Sequence, residues 1–280
     1  MIIAYYIEGR THRCVYLTFG GKMIKALWEI QLGENLTALD VVGTVYGYLI
    51  LVIELLFGLW LAWKMKIKIW KALVILVSGY AMRRILVPLI FNIEKALVGQ
   101  YAGVALTRIF LFTIPLYMLV FRLLKIDRNR GFDFVGLVLI LVQAMAHIGC
   151  VFTGCCCGET TEVPLLWNPE LQRYVFPANV FESLTTFAIF AIMLICFKKK
   201  RMNTGGIMYA CLLLGHGFAR LFWDYFRTGP DVVIGLSILQ LWALLLIIGG
   251  GVWIYLYLLK KEREELRAKH GPRIHKKKKR

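Results

Sequence analysis

The chain has 280 residues, of which 59% are apolar, and it carries a formal net charge of +17. Its mean hydropathy of +0.65 is too high for a soluble domain of this size, and the apolar residues occur in long blocks. The composition therefore indicates an integral membrane protein. A nucleic-acid-binding protein is not indicated, because the basic residues fall in short runs between the apolar blocks and in the C-terminal tail.

Apolar segments of about 20 residues are long enough to cross the hydrocarbon core of a bilayer. We predict an all-α polytopic membrane protein with seven transmembrane helices, at residues 41–63, 69–91, 97–121, 133–154, 178–197, 205–226 and 232–259. Basic residues follow the first, third, fifth and seventh spans, which is the alternation that the positive-inside rule requires. We therefore expect the N-terminus outside and the C-terminus in the cytoplasm.

This topology divides the chain into three regions. Residues 1–40 form an extracytoplasmic segment, in which Ile24, Leu27, Trp28 and Ile30 predict a short amphipathic helix at the membrane surface. Residues 41–259 form the transmembrane domain. Residues 260–280 form a cytoplasmic polybasic tail that we expect to meet anionic lipid headgroups.

Charged and reactive residues collect in the predicted outer half of four spans. Ionisable side chains at membrane depth are costly, and by default they face a protein interior or a water-filled cavity, where they often form a site. The sequence therefore predicts a polar cavity near the outer leaflet. Its candidate residues are Arg83, Arg84, His147, Cys150, Glu182, Arg220, Asp224 and Arg227.

The sixth span carries three of these charges at helical spacing. Arg220 and Asp224 are four residues apart and share a helix face, and Arg227 follows three residues later. Two arginines with a carboxylate partner suit a phosphate group, which arginine binds through two parallel hydrogen bonds. Alternatively, Arg220 and Asp224 only neutralise each other while Arg227 extends to the headgroups.

Other polar residues in the spans allow two roles each. His147 is a candidate general base, because imidazole titrates near neutral pH, or a core histidine hydrogen-bonded to a carbonyl group. Glu182 lies one turn into the fifth span, where it can serve as a base or cap the N-terminus of its own helix. Glu54 and Arg108, near the middles of the first and third spans, also need partners.

The cysteines show no regular disulfide framework and no paired zinc motif. Cys150 and the consecutive Cys155, Cys156 and Cys157 can act as nucleophiles, metal ligands or disulfide partners. Three consecutive cysteines do not easily occupy one tetrahedral site, so we expect no bound metal. Small, polarizable packing residues are the simpler interpretation.

Six stretches, in order and at matching membrane positions, resemble the prolipoprotein diacylglyceryl transferase family. The resemblance runs from about residue 40 to residue 259, and it includes an ungapped match of Gln143–Gly158 to the family's signature block. The stretches are Val45–Leu49, Gly79–Arg84, Gln143–Gly158, Phe176–Ser183, Gly217–Arg227 and Gly235–Gln240.

The resemblance implies a multi-pass enzyme of the bacterial cytoplasmic membrane. Such an enzyme transfers a diacylglyceryl group from phosphatidylglycerol to the lipobox cysteine of a prolipoprotein at the outer leaflet. The expected partners are phosphatidylglycerol, the lipobox peptide and membrane lipids, with no nucleic acid. The resemblance implies no metal and no organic cofactor.

The resemblance also implies roles for individual residues. Arg220 is expected to bind the phosphate, and His147 is the candidate base for the acceptor thiol, whose ordinary pKa is about 8.5. Glu182 and Asp224 complete the catalytic set and orient these groups. The implied substrate-binding residues are Tyr46, Arg84, Arg227, Cys150, Cys155 and Gly158.

The chain departs from the family pattern at several positions. His147 stands where the signature has arginine, Cys150 where it has asparagine, and Cys155 where it has glutamate, and Gln100–Gly103 replaces a histidine-glycine-glycine run. Two alternatives follow: a divergent relative that transfers another group from a phospholipid, and a non-catalytic membrane protein that binds lipid or lipoprotein. A third is a thiol-based redox or metal protein built on the cysteine cluster.

Overall fold

The structure is a computed structural model that describes residues 31–33, 36–98, 106–152, 158–162, 166–168, 173–200, 204–227, 231–233 and 235–270. Within these ranges the chain forms seven α-helices. They are α1 (Ala38–Lys64), α2 (Ile69–Val98), α3 (Ile109–Leu123), α4 (Arg128–Phe152), α5 (Ala178–Lys199), α6 (Ile207–Asp224) and α7 (Ile238–His270).

Five of the described helices, α1, α2, α4, α5 and α7, are long and apolar enough to cross a membrane. Helix α3 is shorter and apolar, and a 3₁₀ turn at Leu106–Arg108 precedes it. Helix α6 has 18 residues and carries Arg220 and Asp224 in its last two turns. The helices fit the predicted polytopic membrane protein, with one helix in each predicted span.

Short antiparallel strands lie outside the helices. Strands β1 (Gln31–Gly33) and β2 (Leu36–Thr37) form a hairpin, as do β6 (Asp231–Val233) and β7 (Leu236–Ser237). Strands β3 (Thr160–Thr161), β4 (Leu166–Asn168) and β5 (Arg173–Val175) form a small sheet in the order β3-β5-β4. None of these strands was predicted from the sequence.

Two predicted boundaries need correction. The seventh span was predicted to begin at residue 232, but the β6–β7 hairpin occupies this stretch and α7 begins at Ile238. The apolar composition of residues 232–237 does not distinguish a strand from a helix start. The third span was predicted to begin at residue 97, but α2 continues to Val98, and the next described helical residues begin with the 3₁₀ turn at Leu106. The amphipathic helix predicted around residues 24–30 lies outside the described residues.

Helix α4 is the centre of the bundle. In its most apolar stretch of 18 residues, 89% of the residues are buried inside the protein. The corresponding share is 17–28% in the other four long helices, which expose most of their apolar residues. Close contact with α6 depends on Gly136, because a Cβ atom there would lie 2.6 Å from the backbone of Met208. Small residues allow such close approach of helices in membranes, where van der Waals packing drives association.

Asp133 joins the start of α4 to the start of α6. Its carboxylate accepts hydrogen bonds from the Thr204 hydroxyl at 2.5 Å, the Thr204 amide at 3.1 Å and the Met208 amide at 3.2 Å. The side chain is fully buried. It therefore satisfies N–H groups at the beginning of α6 that have no partner within their own helix.

A buried ion pair links α1 to α2. Arg83 Nη2 donates to both carboxylate oxygens of Glu54, at 2.8 and 2.7 Å, and the two side chains are only 10% and 7% exposed. The partner that Glu54 requires is therefore Arg83. Arg108, the other buried charge noted in the sequence, is 1% exposed.

Candidate active site

Glu182 lies at the centre of a buried cluster of charged side chains. Its Oε2 accepts hydrogen bonds from Arg220 Nη1 at 3.0 Å and Arg227 Nη2 at 2.6 Å. Its other oxygen, Oε1, lies 3.0 Å from His147 Nε2. The Glu182 side chain is completely buried. One carboxylate thus holds together residues from α4, α5, α6 and the turn after α6.

Asp224 forms the second carboxylate of the cluster. Its Oδ1 lies 3.4 Å from Arg220 Nη2 and 3.6 Å from Arg227 Nη1. Its Oδ2 accepts a short hydrogen bond from the Ser237 hydroxyl. The two arginines therefore lie between two carboxylates, and Asp224 also contacts the chain segment that leads into α7.

Ser237 is held in place by a capping box at the start of α7. The Gln240 amide donates to Ser237 Oγ at 3.1 Å, and the Ser237 amide donates to Gln240 Oε1 at 2.9 Å. This reciprocal pair satisfies two N–H groups at the helix start, as a serine followed three residues later by glutamine commonly does. The cap positions the hydroxyl that binds Asp224.

The chain around Gly158 contacts the residues just before α5 and just after α6. The Gly158 amide donates to Phe176 O and the Glu159 amide donates to Phe226 O, both at 2.8 Å. A Cβ atom at Gly158 would lie 2.6 Å from Phe176 O and 2.7 Å from Phe226 O. This position requires glycine because two carbonyl groups occupy the space that a side chain would need. The contacts connect the residues before α5 with those after α6.

His147 is buried on α4 and contacts Gln143 as well as Glu182. The side-chain amide nitrogen of Gln143 lies 2.8 Å from the same Nε2 atom. An amide nitrogen can only donate a hydrogen bond and a carboxylate oxygen can only accept one, so these two neighbours favour opposite protonation states of Nε2. The buried Nδ1 atom has no hydrogen-bond partner among the described residues.

The remaining predicted site residues lie at different distances from this cluster. Tyr46 is close to α4, since its hydroxyl donates to Met145 O at 3.0 Å and its ring packs against Gly149. Cys150 is half-buried near the end of α4. Arg84 is exposed, and its Nε donates to Tyr80 Oη at 2.9 Å. Cys155 lies outside the described residues, with the other members of the cysteine cluster.

Sequence reasoning gave no role to four residues that contact the cluster or lie beside it. Gln143 and Ser237 contact it directly, and the Ser237-x-x-Gln240 spacing of a capping box was readable from the sequence. His216 is the third. It lies four residues before Arg220, and this spacing places both residues on one helix face. Thr107 is its hydrogen-bond partner at 3.0 Å.

The arrangement can bind an anion and accept a proton. The two arginines balance the two carboxylates, so the cluster is neutral with neutral His147 and gains one positive charge when His147 is protonated. Burial strengthens each electrostatic contact because little water screens it. Arg220 Nε has no hydrogen-bond partner among the described residues, which leaves a buried donor for an anionic group.

Comparisons with known proteins agree with this picture. The model of the prolipoprotein diacylglyceryl transferase family matches residues 41–257. Phosphatidylglycerol--prolipoprotein diacylglyceryl transferase 2 of Clostridium perfringens (strain 13 / Type A) is 25% identical over 44% of this chain and 50% of the relative. The phosphatidylglycerol--prolipoprotein diacylglyceryl transferase of Clostridioides difficile (strain 630) is 28% identical over 48% of this chain and 52% of the relative.

The chain spans about half the length of the curated relatives that it matches. The family model, in contrast, covers every described helix from the first turns of α1 to the middle of α7, and it includes all five ionisable residues of the cluster. The chain therefore belongs to the prolipoprotein diacylglyceryl transferase family.

Proposed function

We propose that the protein transfers the diacylglyceryl group of phosphatidylglycerol to the thiol of a lipobox cysteine. The observation that carries this proposal is the Glu182 carboxylate, which holds a histidine and two arginines together in a buried cluster. The reaction needs cations for the departing phosphate and a base for the thiol. Both kinds of group contact this one carboxylate.

Arg220 and Arg227 bind the phosphate of the lipid in this proposal. Arginine matches phosphate geometry and remains charged in a buried site. Electrostatic stabilisation by preorganised donors is usually the largest single contribution to catalysis. Because both arginines are held between Glu182 and Asp224, they need little reorganisation when negative charge develops on the leaving group.

His147 accepts the thiol proton. The Glu182 carboxylate beside Nε2 orients the ring and stabilises the imidazolium that forms, as the third member of a nucleophile-base-carboxylate set does. The thiolate then attacks the glyceryl carbon. A carbon-sulfur bond forms, the carbon-oxygen bond to phosphate breaks, and its electron pair leaves with glycerol phosphate.

The other predicted residues act around this centre. Tyr46 contacts the lipid headgroup, Cys150, Cys155 and Gly158 contribute to substrate binding, and Arg84 assists at the phosphate. The reaction takes place at the outer leaflet of the bacterial cytoplasmic membrane. It involves phosphatidylglycerol, the lipobox peptide and surrounding lipids, and it requires no cofactor.

A non-catalytic lipid-binding protein is a second candidate, and the position of His147 argues against it. A binder needs cations for the phosphate but no base beside them. In this protein His147 Nε2 and Arg220 Nη1 each lie 3.0 Å from an oxygen of the same carboxylate. This proximity favours a site that moves a proton close to a bound phosphate.

The test is to incubate the purified protein in detergent with phosphatidylglycerol and a lipobox peptide. Mass spectrometry should detect the peptide thioether together with free glycerol phosphate. The Arg220→Ala variant should lose this product. Arg122→Ala is the matched control, because Arg122 is exposed near the end of α3 and takes no part in the cluster described above.

Two results would contradict the proposal. Full turnover by a folded Arg220→Ala variant would remove the phosphate role of Arg220. If folded, lipid-bound wild-type protein gave no product, this result would favour the non-catalytic lipid-binding protein. Transfer from phosphatidylglycerol to another acceptor, or of another group, would instead identify a divergent transferase with the same phosphate site.

A further inference from the structure

The turn between α1 and α2 borders a surface cavity of about 520 Å³. Small-molecule sites usually have volumes of roughly 300–1,000 Å³. Arg130 of α4 donates a hydrogen bond to Met65 O in this turn, whereas His147 lies 17 residues further along α4, about 26 Å away at 1.5 Å per residue. The cavity is therefore separate from the proposed active site. The residues that line it are Trp63, Lys64, Lys66, Ile67, Lys68 and Ile69.

The three lysines at this cavity carry charges that no carboxylate of the described chain balances. Lys64, Lys66 and Lys68 are exposed, and none of them forms an ion pair among the described residues. The sequence between Glu54 and Glu94 contains no acidic residue. The cavity thus concentrates positive charge without a local counter-ion, and it is complementary to an anionic group.

Apolar and aromatic surface lies beside these charges. Trp63 is 65% exposed and Ile69 is 46% exposed. Lys64 Nζ lies 4.2 Å from the centre of the Trp63 ring, within the range of a cation–π contact. Tryptophan is typical of the boundary between the hydrocarbon core and the headgroups of a membrane. Charge next to exposed apolar surface suits a molecule with a negative headgroup and an apolar tail better than a small soluble anion.

We propose that this cavity binds an anionic phospholipid, with its phosphate among the three lysines and its acyl chains along Trp63 and Ile69. On the predicted topology this lipid belongs to the cytoplasmic leaflet, opposite the leaflet of the proposed reaction. Anionic lipids of that leaflet attract basic segments at the membrane surface. The inference does not depend on the transfer reaction, because it uses none of the residues of the charged cluster.

The backbone at Lys66 allows one charge to be removed without disturbing the turn. Lys66 has a φ angle of 56°, in the left-handed region that favours glycine. It occupies the usual glycine position of a Schellman motif, in which its amide donates to Trp63 O at 3.1 Å and the Ile67 amide donates to Ala62 O at 2.9 Å. Lys66→Gly should therefore keep or raise the melting temperature, so that weaker lipid binding reports the lost charge.

The turn between α3 and α4 supplies a matched control. Lys125 has a φ angle of 51° and the same position in a second Schellman motif. Its amide donates to Arg122 O at 3.2 Å, and the Ile126 amide donates to Phe121 O at 2.9 Å. Lys125 is exposed but is not among the residues that line the cavity. Lys125→Gly thus makes the same chemical change in the same backbone away from the proposed site.

The test measures lipid binding to the purified protein in a nonionic detergent. Native mass spectrometry counts bound phosphatidic acid and gives its apparent Kd, with phosphatidylcholine as the zwitterionic comparison. Loss of one lysine contact should weaken phosphatidic acid binding about fivefold in Lys66→Gly. Lys125→Gly should change it by less than about twofold, because salt screens a distant charge. Lipid bound at the charged cluster contributes equally to both variants and cancels in the comparison.

Two triple variants extend the comparison to the whole turn. Lys64→Gln/Lys66→Gly/Lys68→Gln should weaken binding about 100-fold if the three contacts add. Arg122→Gln/Lys125→Gly/Arg128→Gln removes the same number of charges from the neighbouring turn and should change binding by less than about threefold. Thermal unfolding of both variants checks that they fold. Inorganic phosphate in large excess, added to the wild-type protein, should leave the lipid bound.

The outcomes distinguish a defined lipid site from a general response to charge. Equal losses in the two triple variants would overturn the site, since they would report net charge alone. Equally tight binding of phosphatidylcholine would contradict an anionic ligand, and displacement by inorganic phosphate would identify a site for the free anion. Unchanged binding in Lys66→Gly and in its triple variant would also overturn the proposal. If the triple variants fail to fold, the two glycine variants decide.

Discussion

The Ser237 hydroxyl donates a hydrogen bond to Asp224 Oδ2 and thereby ties the first turn of α7 to the charged cluster at the end of α6. The same hydroxyl oxygen accepts the Gln240 amide as the helix cap. One side chain thus begins a helix and orients a carboxylate. Stability of α7 and geometry of the arginine cluster should therefore respond together to substitution at this position.

Ser237→Ala tests this coupling. Loss of the helix cap should lower the free energy of unfolding by about 1 kcal/mol. Loss of the hydroxyl also removes the hydrogen bond that Asp224 Oδ2 accepts, so transfer activity should fall as well. Ser237→Thr keeps both hydrogen bonds and is the control. Thermal unfolding and product formation measure the two effects. An alanine variant with lower stability but full activity would show that Asp224 does not depend on Ser237.

Glu182→Gln tests the centre of the cluster. Glutamine keeps the shape of the side chain but removes the charge that faces Arg220, Arg227 and His147. Removing one partner of a buried ion pair costs about 3–5 kcal/mol, because the remaining charge stays buried. We expect lower thermal stability and loss of transfer. Glu159→Gln, at an exposed glutamate outside the cluster, should change neither measurement.

A second prediction about buried charge concerns Glu54 and Arg83, which lie outside the proposed site. Arg83→Leu leaves the Glu54 carboxylate without its described partner and should cost about 3–5 kcal/mol of unfolding free energy. The double variant Glu54→Leu/Arg83→Leu removes both charges and should recover most of this loss. Urea or thermal unfolding of the two variants in detergent gives the comparison. A double variant no more stable than Arg83→Leu would mean that the pair does more than neutralise itself.

Gly136→Ala tests the contact between α4 and α6. The added Cβ atom would lie 2.6 Å from the Met208 backbone, so the helices must separate, at a cost of about 1–3 kcal/mol. Gly251→Ala is the matched control, because no atom lies within 4 Å of its added Cβ in α7. Alanine also favours a helix interior over glycine by about 1 kcal/mol. Melting temperatures should therefore fall for the first variant and remain equal or rise for the second.

Much of the fold was predictable because membrane insertion imposes a simple constraint on composition. Each helix that crosses the bilayer needs a long apolar segment, and these segments are visible in the sequence. Each predicted span contains a described helix, although α2 continues to Val98 and α7 to His270, beyond the predicted ends. The start of α7 was predicted wrongly because residues 232–237 are mostly apolar, and apolar residues are equally compatible with a strand and with the start of a helix. The capping box at Ser237 and Gln240, which marks the helix start, was not used.

The candidate site was partly predictable for the same reason. Charges inside apolar segments are rare, so His147, Glu182 and Arg220 attracted attention without any structure. Helical spacing also placed Arg220 and Asp224 on one face, and it could have added His216, four residues earlier. Arg83 and Arg84 were not distinguishable by this reasoning, because adjacent residues differ only in the direction of their side chains.

The sequence by itself determined the class of protein, the approximate spans and the set of buried charges, since these follow from hydropathy and from the cost of charge in an apolar environment. Only the tertiary structure decided which charges meet. Arg83 pairs with Glu54, while Glu182 gathers His147, Arg220 and Arg227. Pairing depends on helix rotation and neighbour order, and these are set by packing contacts such as Gly136 against Met208, which no local pattern encodes.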